Sequence, residues 1–162
     1  MQELSHVNKL GEISMVDVGN KEPSLRIAKA CGYITVSALA MQKIQDNSLK
    51  KGDILTVAKI AGINGAKKTS EIIPLCHSLL LDKVDINIEL DTANNKVVIV
   101  SMVKTFGKTG VEMEALCAVS CALLGIYDML KAVDKNAVLS EIKLLEKSGG
   151  KSGHYIRGEH ED

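Results

Sequence analysis

Residues 84–104 read VDINIELDTANNKVVIVSMVK, and this stretch decides the fold. Every second residue from Val84 to Leu90 is apolar and the residues between are polar, which is the period of a half-buried strand. The polar run 91–95 predicts a turn, and the run from Lys96 to Lys104 predicts the partner strand of a hairpin. An antiparallel sheet is therefore expected at the centre of the chain.

The segments on either side of this hairpin complete an α+β pattern. They predict a strand within 31–39, a helix at 38–46, a longer helix from Asp53 to about Ile72, a helix from about Glu112 to Val133, and a strand at 137–146. Within the longer helix, Ala58, Gly62 and Ala66 form a seam of small residues suited to close packing. The order β-α-β-β-α-β predicts a ferredoxin-like sandwich, with an antiparallel sheet and helices on one face.

The second strand of the hairpin is apolar on both sides. Val97, Val98, Ile99 and Val100 follow one another without a polar residue between them. Helices on one face would leave half of these side chains uncovered, so something else must bury them. A second copy of the chain is the simplest candidate, and we expect an oligomer whose contacts include this sheet.

Length and composition bound the function. The 162 residues predict one domain, 1–162, with an N-terminal arm at 1–23 and a Gly-rich, mobile C-terminal tail at 148–162. The 20 basic and 20 acidic residues cancel, and aromatic residues make up only 2%, which argues against nucleic-acid binding. No stretch is expected to approach a membrane span, and residues 1–10 have no signal-peptide core. Four cysteines without a C-x-x-C motif favour free thiols and a cytoplasmic location.

Several short motifs imitate known sites. Gly107-Lys108-Thr109 and Gly150-Lys151-Ser152 lack the earlier glycine of a nucleotide-binding P-loop, although each could bind phosphate more simply. Cys76 and His77, with Cys117 and Cys121, match no structural zinc spacing, so we expect no metal site. His77 lies between apolar residues and must find a partner or face a cleft.

The last predicted helix carries charged residues at both ends. Glu114 and Asp128 are fourteen positions apart, so they lie within roughly 40° of each other on the helix surface. They are also separated by about 21 Å along the axis, which is too far for one small catalytic centre. If both serve one reaction, two subunits must meet so that the start of one helix faces the end of the other.

Seven motifs occur in a fixed order along the chain. They are MVDV at 15–18, KGD at 51–53, AKIAGI at 58–63, PLCH at 74–77, KTGVEMEAL at 108–116, YDM with KAV at 127–129 and 131–133, and KSGGKSG at 147–153. Together they closely resemble the cyclic pyranopterin monophosphate synthase family, accessory protein C of molybdenum cofactor biosynthesis. The resemblance covers the chain from His6 to Gly153.

The resemblance implies a fold, an assembly and a reaction. Members have a ferredoxin-like fold and form homohexamers, trimers of dimers, with active sites between subunits. They are lyases that convert 3′,8-cyclo-7,8-dihydroguanosine 5′-triphosphate into cyclic pyranopterin monophosphate and diphosphate. No cofactor is implied, although Mg²⁺ could accompany the triphosphate.

The resemblance also assigns roles to residues. The family's active-site aspartate falls on Asp128, and its essential lysines fall on Lys51 and Lys131. Its substrate-binding and pocket residues fall on Leu75, Cys76, His77, Glu112, Met113, Glu114, Lys147 and Lys151. A lysine with a pKa shifted by burial or cationic neighbours could exchange protons near neutral pH. Ser78 replaces the proline that usually follows His77, which restores a backbone N–H and frees the loop.

Two other classes of function are compatible with the residue pattern taken alone. A ferredoxin-like domain can be a non-catalytic ligand-binding module, because this fold hosts many functions. The chain could also be a purely structural assembly protein with its charges solvated. Neither alternative explains why Glu114, Asp128, Lys131 and His77 occur together.

Overall fold

A computed structural model describes residues 7, 11–49, 52–151 and 153–158 of the chain. Its elements are β1 (Ser24–Thr35), α1 (Ala38–Gln45), α2 (Ile54–Lys67), α3 (Thr69–Ile72), β2 (Lys83–Asp91), β3 (Lys96–Gly107), α4 (Glu112–Leu130), β4 (Val138–Ser148) and β5 (Tyr155–Ile156). The predicted α+β order is confirmed, and β2 and β3 form the predicted hairpin. Asp53 caps α2 as predicted, because its carboxylate accepts hydrogen bonds from the N–H groups of Leu55 and Thr56.

The five strands form one antiparallel sheet in the order β2-β3-β1-β4-β5. The first four have the ferredoxin-like arrangement, with β1 and β3 side by side at the centre. β5 was not predicted; it pairs with β4 and returns part of the predicted Gly-rich tail to the edge of the sheet. The turn between β4 and β5 contains Gly149 and Gly150, both with positive φ, a conformation that glycine adopts without strain.

The predicted helix from Asp53 to Ile72 is divided in two. α2 ends at Lys67, and Lys68, with φ of −107°, leaves the helical region before α3 begins. The buried Thr69 hydroxyl bonds to the carbonyl oxygens of Gly65 and Ala66. This side-chain bonding stabilises the break, and threonine carries no signal that would place it from sequence.

One face of the sheet carries the helices and the core. On β3, Val97, Ile99 and Val103 are buried beneath them, whereas Val98 and Val100 are half-buried on the opposite face. The predicted second apolar face therefore exists in the single chain. The second copy proposed to cover it stays a prediction.

α4 is, within the described ranges, the one helix long and apolar enough to cross a membrane, with a mean hydropathy of 1.6. The expectation that no segment approaches a membrane span is therefore wrong for this helix by composition. More than half of its residues are buried against the sheet and α2. Its apolar character is that of a core helix in a sandwich.

Small residues let α2 and α4 pack closely. The predicted seam of Ala58, Gly62 and Ala66 is buried. Gly65 lies closest to α4, because a Cβ atom on it would come within 2.6 Å of the Cys121 Cβ and Sγ atoms and 2.8 Å of the Cys117 carbonyl oxygen. No side chain fits there unless the helices separate.

We expect Gly65→Ala to lower the free energy of unfolding by about 1–3 kcal/mol through overpacking. This loss of stability should appear even though alanine is more favourable than glycine inside a helix by about 1 kcal/mol. Urea denaturation compares it with Asn64→Ala, an exposed neighbour in the same helix, which should be at least as stable as the unchanged protein. Equal stability of the two variants would contradict the close contact.

Candidate active site

Two adjoining cavities lie at the start of α4. The larger has a volume of about 790 Å³, and the smaller about 350 Å³. Lys21, Thr109, Gly110 and Glu112 line both. The loop from β3 to α4 therefore separates two compartments of one continuous cleft.

All eight residues to which the resemblance assigns substrate binding line this cleft. The smaller cavity is lined by Leu75, Cys76, His77, Glu112, Met113 and Glu114; the larger is lined by Lys147, Lys151 and again Glu112. Glu112 and Lys147 form an ion pair across the larger cavity, with 3.0 Å between Oε1 and Nζ. Three separate segments of sequence meet here, although their binding role stays a prediction.

Two of the three predicted catalytic residues, Asp128 and Lys131, do not line this cleft within one chain. Asp128 and Lys131 lie at the other end of α4, where Oδ1 of Asp128 is 2.7 Å from Nζ of Lys131 on an exposed surface. The predicted catalytic Lys51 lies outside the described residues. The length of α4 thus separates the acid–base pair from the cleft, as the helix geometry predicted.

The neighbourhood of Lys131 raises its pKa. The hydrogen bond from Lys131 to the Asp128 carboxylate is the main cause, and the charge of Asp128 acts in the same direction. A downward shift of the Lys131 pKa is therefore absent in the single chain, because burial lowers the pKa less than Asp128 raises it. In this environment the Lys131 ammonium group keeps its proton and donates a hydrogen bond to the Asp128 carboxylate.

Glu114 is the buried carboxyl group of the cleft, with only 4% of its surface exposed. Burial raises its pKa from 4.5 to about 7, a hydrogen bond from its own backbone N–H offsets part of the rise, and the charge of Glu112 adds to it. Its position in the first turn of α4 is favourable for a carboxylate. Glu114 can therefore hold or release a proton near neutral pH.

The loop at 75–77 is fixed from two sides. His77 Nε2 lies 2.8 Å from the Val16 carbonyl oxygen, and because a carbonyl can only accept, this contact requires the proton on Nε2. Nδ1 is left as the acceptor of the neutral ring. The Ser78 hydroxyl lies 3.1 Å from the Ser70 hydroxyl, a contact with α3 that a proline at this position could not make.

The cysteines of this region behave as packing residues. All four cysteines of the chain are free thiols. Burial raises the pKa of the Cys76 thiol, and the charges of Glu114 and Cys117 add to the rise, so Cys76 stays protonated. Among the described residues, no group of three His, Cys, Asp or Glu side chains is placed to hold a metal ion.

Two basic residues of the cleft were missed by sequence reasoning. Arg26 donates hydrogen bonds from Nε to the Gly107 carbonyl oxygen at 3.2 Å and from Nη2 to the Lys108 carbonyl oxygen at 3.4 Å. Its guanidinium also fills the space that a side chain at Gly150 would need. Lys21 lines both cavities. One feature of the sequence could have drawn attention to Arg26, because it is one of only two arginines among 20 basic residues. No feature of the sequence distinguishes Lys21 from the other lysines.

We expect the raised pKa of Glu114 to make the protein less stable as pH rises. Below about pH 4.5 the carboxyl is protonated in both the folded and unfolded states, and above about pH 7 folding must bury its charge. At pH 8.5, Glu114→Gln should therefore unfold at a higher urea concentration than the unchanged protein, with a free energy of unfolding larger by up to about 3 kcal/mol. At pH 4.5 the two proteins should unfold at similar urea concentrations. The exposed Glu71→Gln serves as control, and an equal gain in that variant would contradict the assignment.

Comparison with known proteins places the chain in a family. Residues 15–150 match the MoaC family. The chain is 53% identical over 159 residues to the cyclic pyranopterin monophosphate synthase of Heliobacterium modesticaldum, covering 98% of this chain and 100% of that protein. The proteins of the same name from Syntrophomonas wolfei and Clostridium acetobutylicum are 54% and 50% identical over 153 residues; each alignment covers 94% of this chain, and 98% and 95% of those proteins respectively. The match spans both the cleft and the Asp128–Lys131 pair, and the chain belongs to the MoaC family.

Proposed function

We propose that the protein is a lyase of molybdenum cofactor biosynthesis that forms cyclic pyranopterin monophosphate. Its substrate is 3′,8-cyclo-7,8-dihydroguanosine 5′-triphosphate, and diphosphate is the second product. The observation that carries the proposal is the meeting of eight family-matched residues from three segments in one cleft. The names of the relatives support the product.

The two compartments suit the two halves of this substrate. Among the described residues, the larger cavity is lined by five cations, Lys21, Arg26, Lys108, Lys147 and Lys151, and by two acids, Glu22 and Glu112. An excess of cations attracts a triphosphate and stabilises the charge that develops as diphosphate leaves. Among the cations of the larger cavity, Lys147 and Lys151 are the residues proposed to bind the triphosphate, together with Lys51.

The smaller cavity suits the ring system derived from guanine. Glu112 and Glu114 provide carboxyl oxygens that can accept hydrogen bonds from ring N–H and amino groups, and Leu75 and Met113 provide apolar walls. His77 offers Nδ1 as an acceptor. Ring opening and reclosure need repeated proton transfers, and the pKa of Glu114 near 7 is suited to such transfers.

The acid–base pair must come from a second copy of the chain. Asp128 and Lys131 are proposed as general base and general acid, yet about 21 Å of helix separates them from Glu114. An interface that sets the start of one α4 against the end of another completes the site. A homohexamer built as a trimer of dimers in the cytoplasm is the assembly proposed, and it would also provide a partner for the apolar sheet face.

No cofactor is part of this proposal. The acid–base groups, the cations and the substrate's own diphosphate leaving group suffice for ring rearrangement and phosphate cyclisation. Any Mg²⁺ would enter with the substrate phosphates, because the hard oxygens of a triphosphate are the ligands that it prefers.

We expect the purified protein to release one diphosphate for each pterin product when it is given the cyclic guanosine triphosphate. Lys131→Ala should lower kcat by about 100-fold or more, since general acid–base groups contribute roughly that much. Lys135→Ala, which removes an exposed lysine four positions away, is the control and should keep normal turnover. Binding without turnover by the unchanged protein would indicate a ligand-binding module, and normal turnover by Lys131→Ala would contradict its catalytic role.

We expect two inactive variants to complement each other when their changes lie at opposite ends of the shared site. His77→Ala and Asp128→Ala, co-expressed and purified together, should recover up to about a quarter of normal activity, because about that share of randomly paired sites is intact. Asp128→Ala mixed with Lys131→Ala should recover none, since both changes damage the same end of the helix. Equal activity in the two mixtures would show that each site lies within one chain.

A further inference from the structure

The segment 16–22 of the N-terminal arm forms a wall of the cleft. Val16 lines the smaller cavity, and Asn20 and Glu22 line the larger one. Among residues 16–22, Lys21 alone lines both. Lys21 therefore lies at the junction where a ligand would pass from one compartment to the other.

Two side chains from the body of the protein hold this segment. His77 Nε2 donates to the Val16 carbonyl oxygen at 2.8 Å, and Lys108 Nζ donates to the Gly19 carbonyl oxygen at 2.7 Å. Within the segment, the Asp17 carboxylate accepts from the Gly19 N–H at 2.7 Å. The Lys21 N–H donates to the Val18 carbonyl oxygen at 3.1 Å. The turn that presents Lys21 is thus fixed both from within and from the cleft.

The cations of the larger cavity are not equally available to a ligand. Lys108 is bonded to the Gly19 carbonyl, Arg26 to two carbonyls of the Gly107–Lys108 loop, and Lys147 to Glu112. Within the described part of the chain, neither the Lys21 nor the Lys151 ammonium group forms a hydrogen bond or an ion pair. These two lysines can turn to an anion without breaking a contact that holds the site together.

We infer that Lys21 is a further substrate-binding residue, which contacts a phosphate group of the substrate where the two cavities meet. The inference rests on the proposed function for the identity of the substrate. It rests on the geometry for the phosphate contact. A charge-assisted bond from an ammonium to a phosphate oxygen is among the stronger polar contacts in proteins.

Lys108 has a different role, which is to position the arm. Gly107-Lys108-Thr109 imitates a phosphate loop in sequence, yet its lysine points to the Gly19 carbonyl and its own carbonyls are held by Arg26. The loop is a clamp that fastens residues 16–22 over the cleft. Lys108 is therefore a positioning residue that acts through Gly19 on Lys21.

Inorganic diphosphate tests the binding role of Lys21 without requiring turnover. Isothermal titration of the full-length protein should show binding that Lys21→Met weakens about fivefold or more. Lys43→Met removes one positive charge from α1, away from both cavities, and should leave the affinity unchanged. Absence of diphosphate binding by the unchanged protein, or equal affinity in Lys21→Met and Lys43→Met, would overturn the inference.

Trypsin tests the clamp, because the bond after Lys21 is a tryptic site within the fastened segment. Lys108→Met should be cleaved after Lys21 several-fold faster than the unchanged protein or Lys43→Met. An unchanged cleavage rate would overturn the positioning role of Lys108.

Kinetics separate this inference from the proposed function. If the unchanged protein turns over the cyclic triphosphate, Lys21→Met should raise KM about fivefold or more and change kcat little. An unchanged KM in an active protein would overturn the inference alone. If the unchanged protein shows no turnover but Lys21→Met still binds diphosphate more weakly than the unchanged protein, the proposed function is overturned. The phosphate contact of Lys21 is then still supported.

Discussion

The structure depends on the close approach of α4 to α2. Glycines make this approach possible, since a Cβ atom on Gly65 would overlap Cys121 and one on Gly125 would come within 3.1 Å of the Ala61 Cβ atom. The same helix covers β1, β3 and β4, so it is held on two sides by dispersion contacts. Because α4 cannot shift without opening both contacts, its first turn is set against the 75–77 loop. The smaller cavity is a consequence of this packing.

The same constraint explains the protonation of the cleft. Packing that holds the start of α4 in the core also removes Glu114 from water while leaving Glu112 half-exposed and paired with Lys147. Two carboxyl groups, two positions apart, are thereby placed in different environments. Burial raises the pKa of Glu114 to about 7, whereas Glu112 forms an ion pair with Lys147 at the rim of the larger cavity. The first turn of α4 thus places two different carboxyl groups in the same cleft. Glu114 can exchange a proton near neutral pH, and Glu112 is ion-paired with Lys147.

Local patterns predicted most of the fold and only part of the site. The alternation at 84–90 and the cap at Asp53 are features of neighbouring residues, so sequence reveals them directly. The break at Lys68 depends on a buried threonine, and β5 depends on a pairing between Tyr155 and Lys147 that no local pattern encodes. The matched family residues located the cleft. Lys21 and Arg26 escaped because their roles arise from contacts with segments far along the chain, such as the bond from Lys108 to Gly19.

The length of α4 connects the cleft to the assembly. A helix of 19 residues spans about 28 Å, which is longer than the reach of any side chain, so its two charged ends cannot act on one ligand within a subunit. Shortening the helix would bring them together but would remove the contacts with α2 and the sheet on which the fold depends. A chain with this core can unite Glu114 with an Asp128–Lys131 pair only by using a pair from another copy. Oligomerisation is then a requirement of the proposed chemistry, imposed by the same packing that creates the cleft.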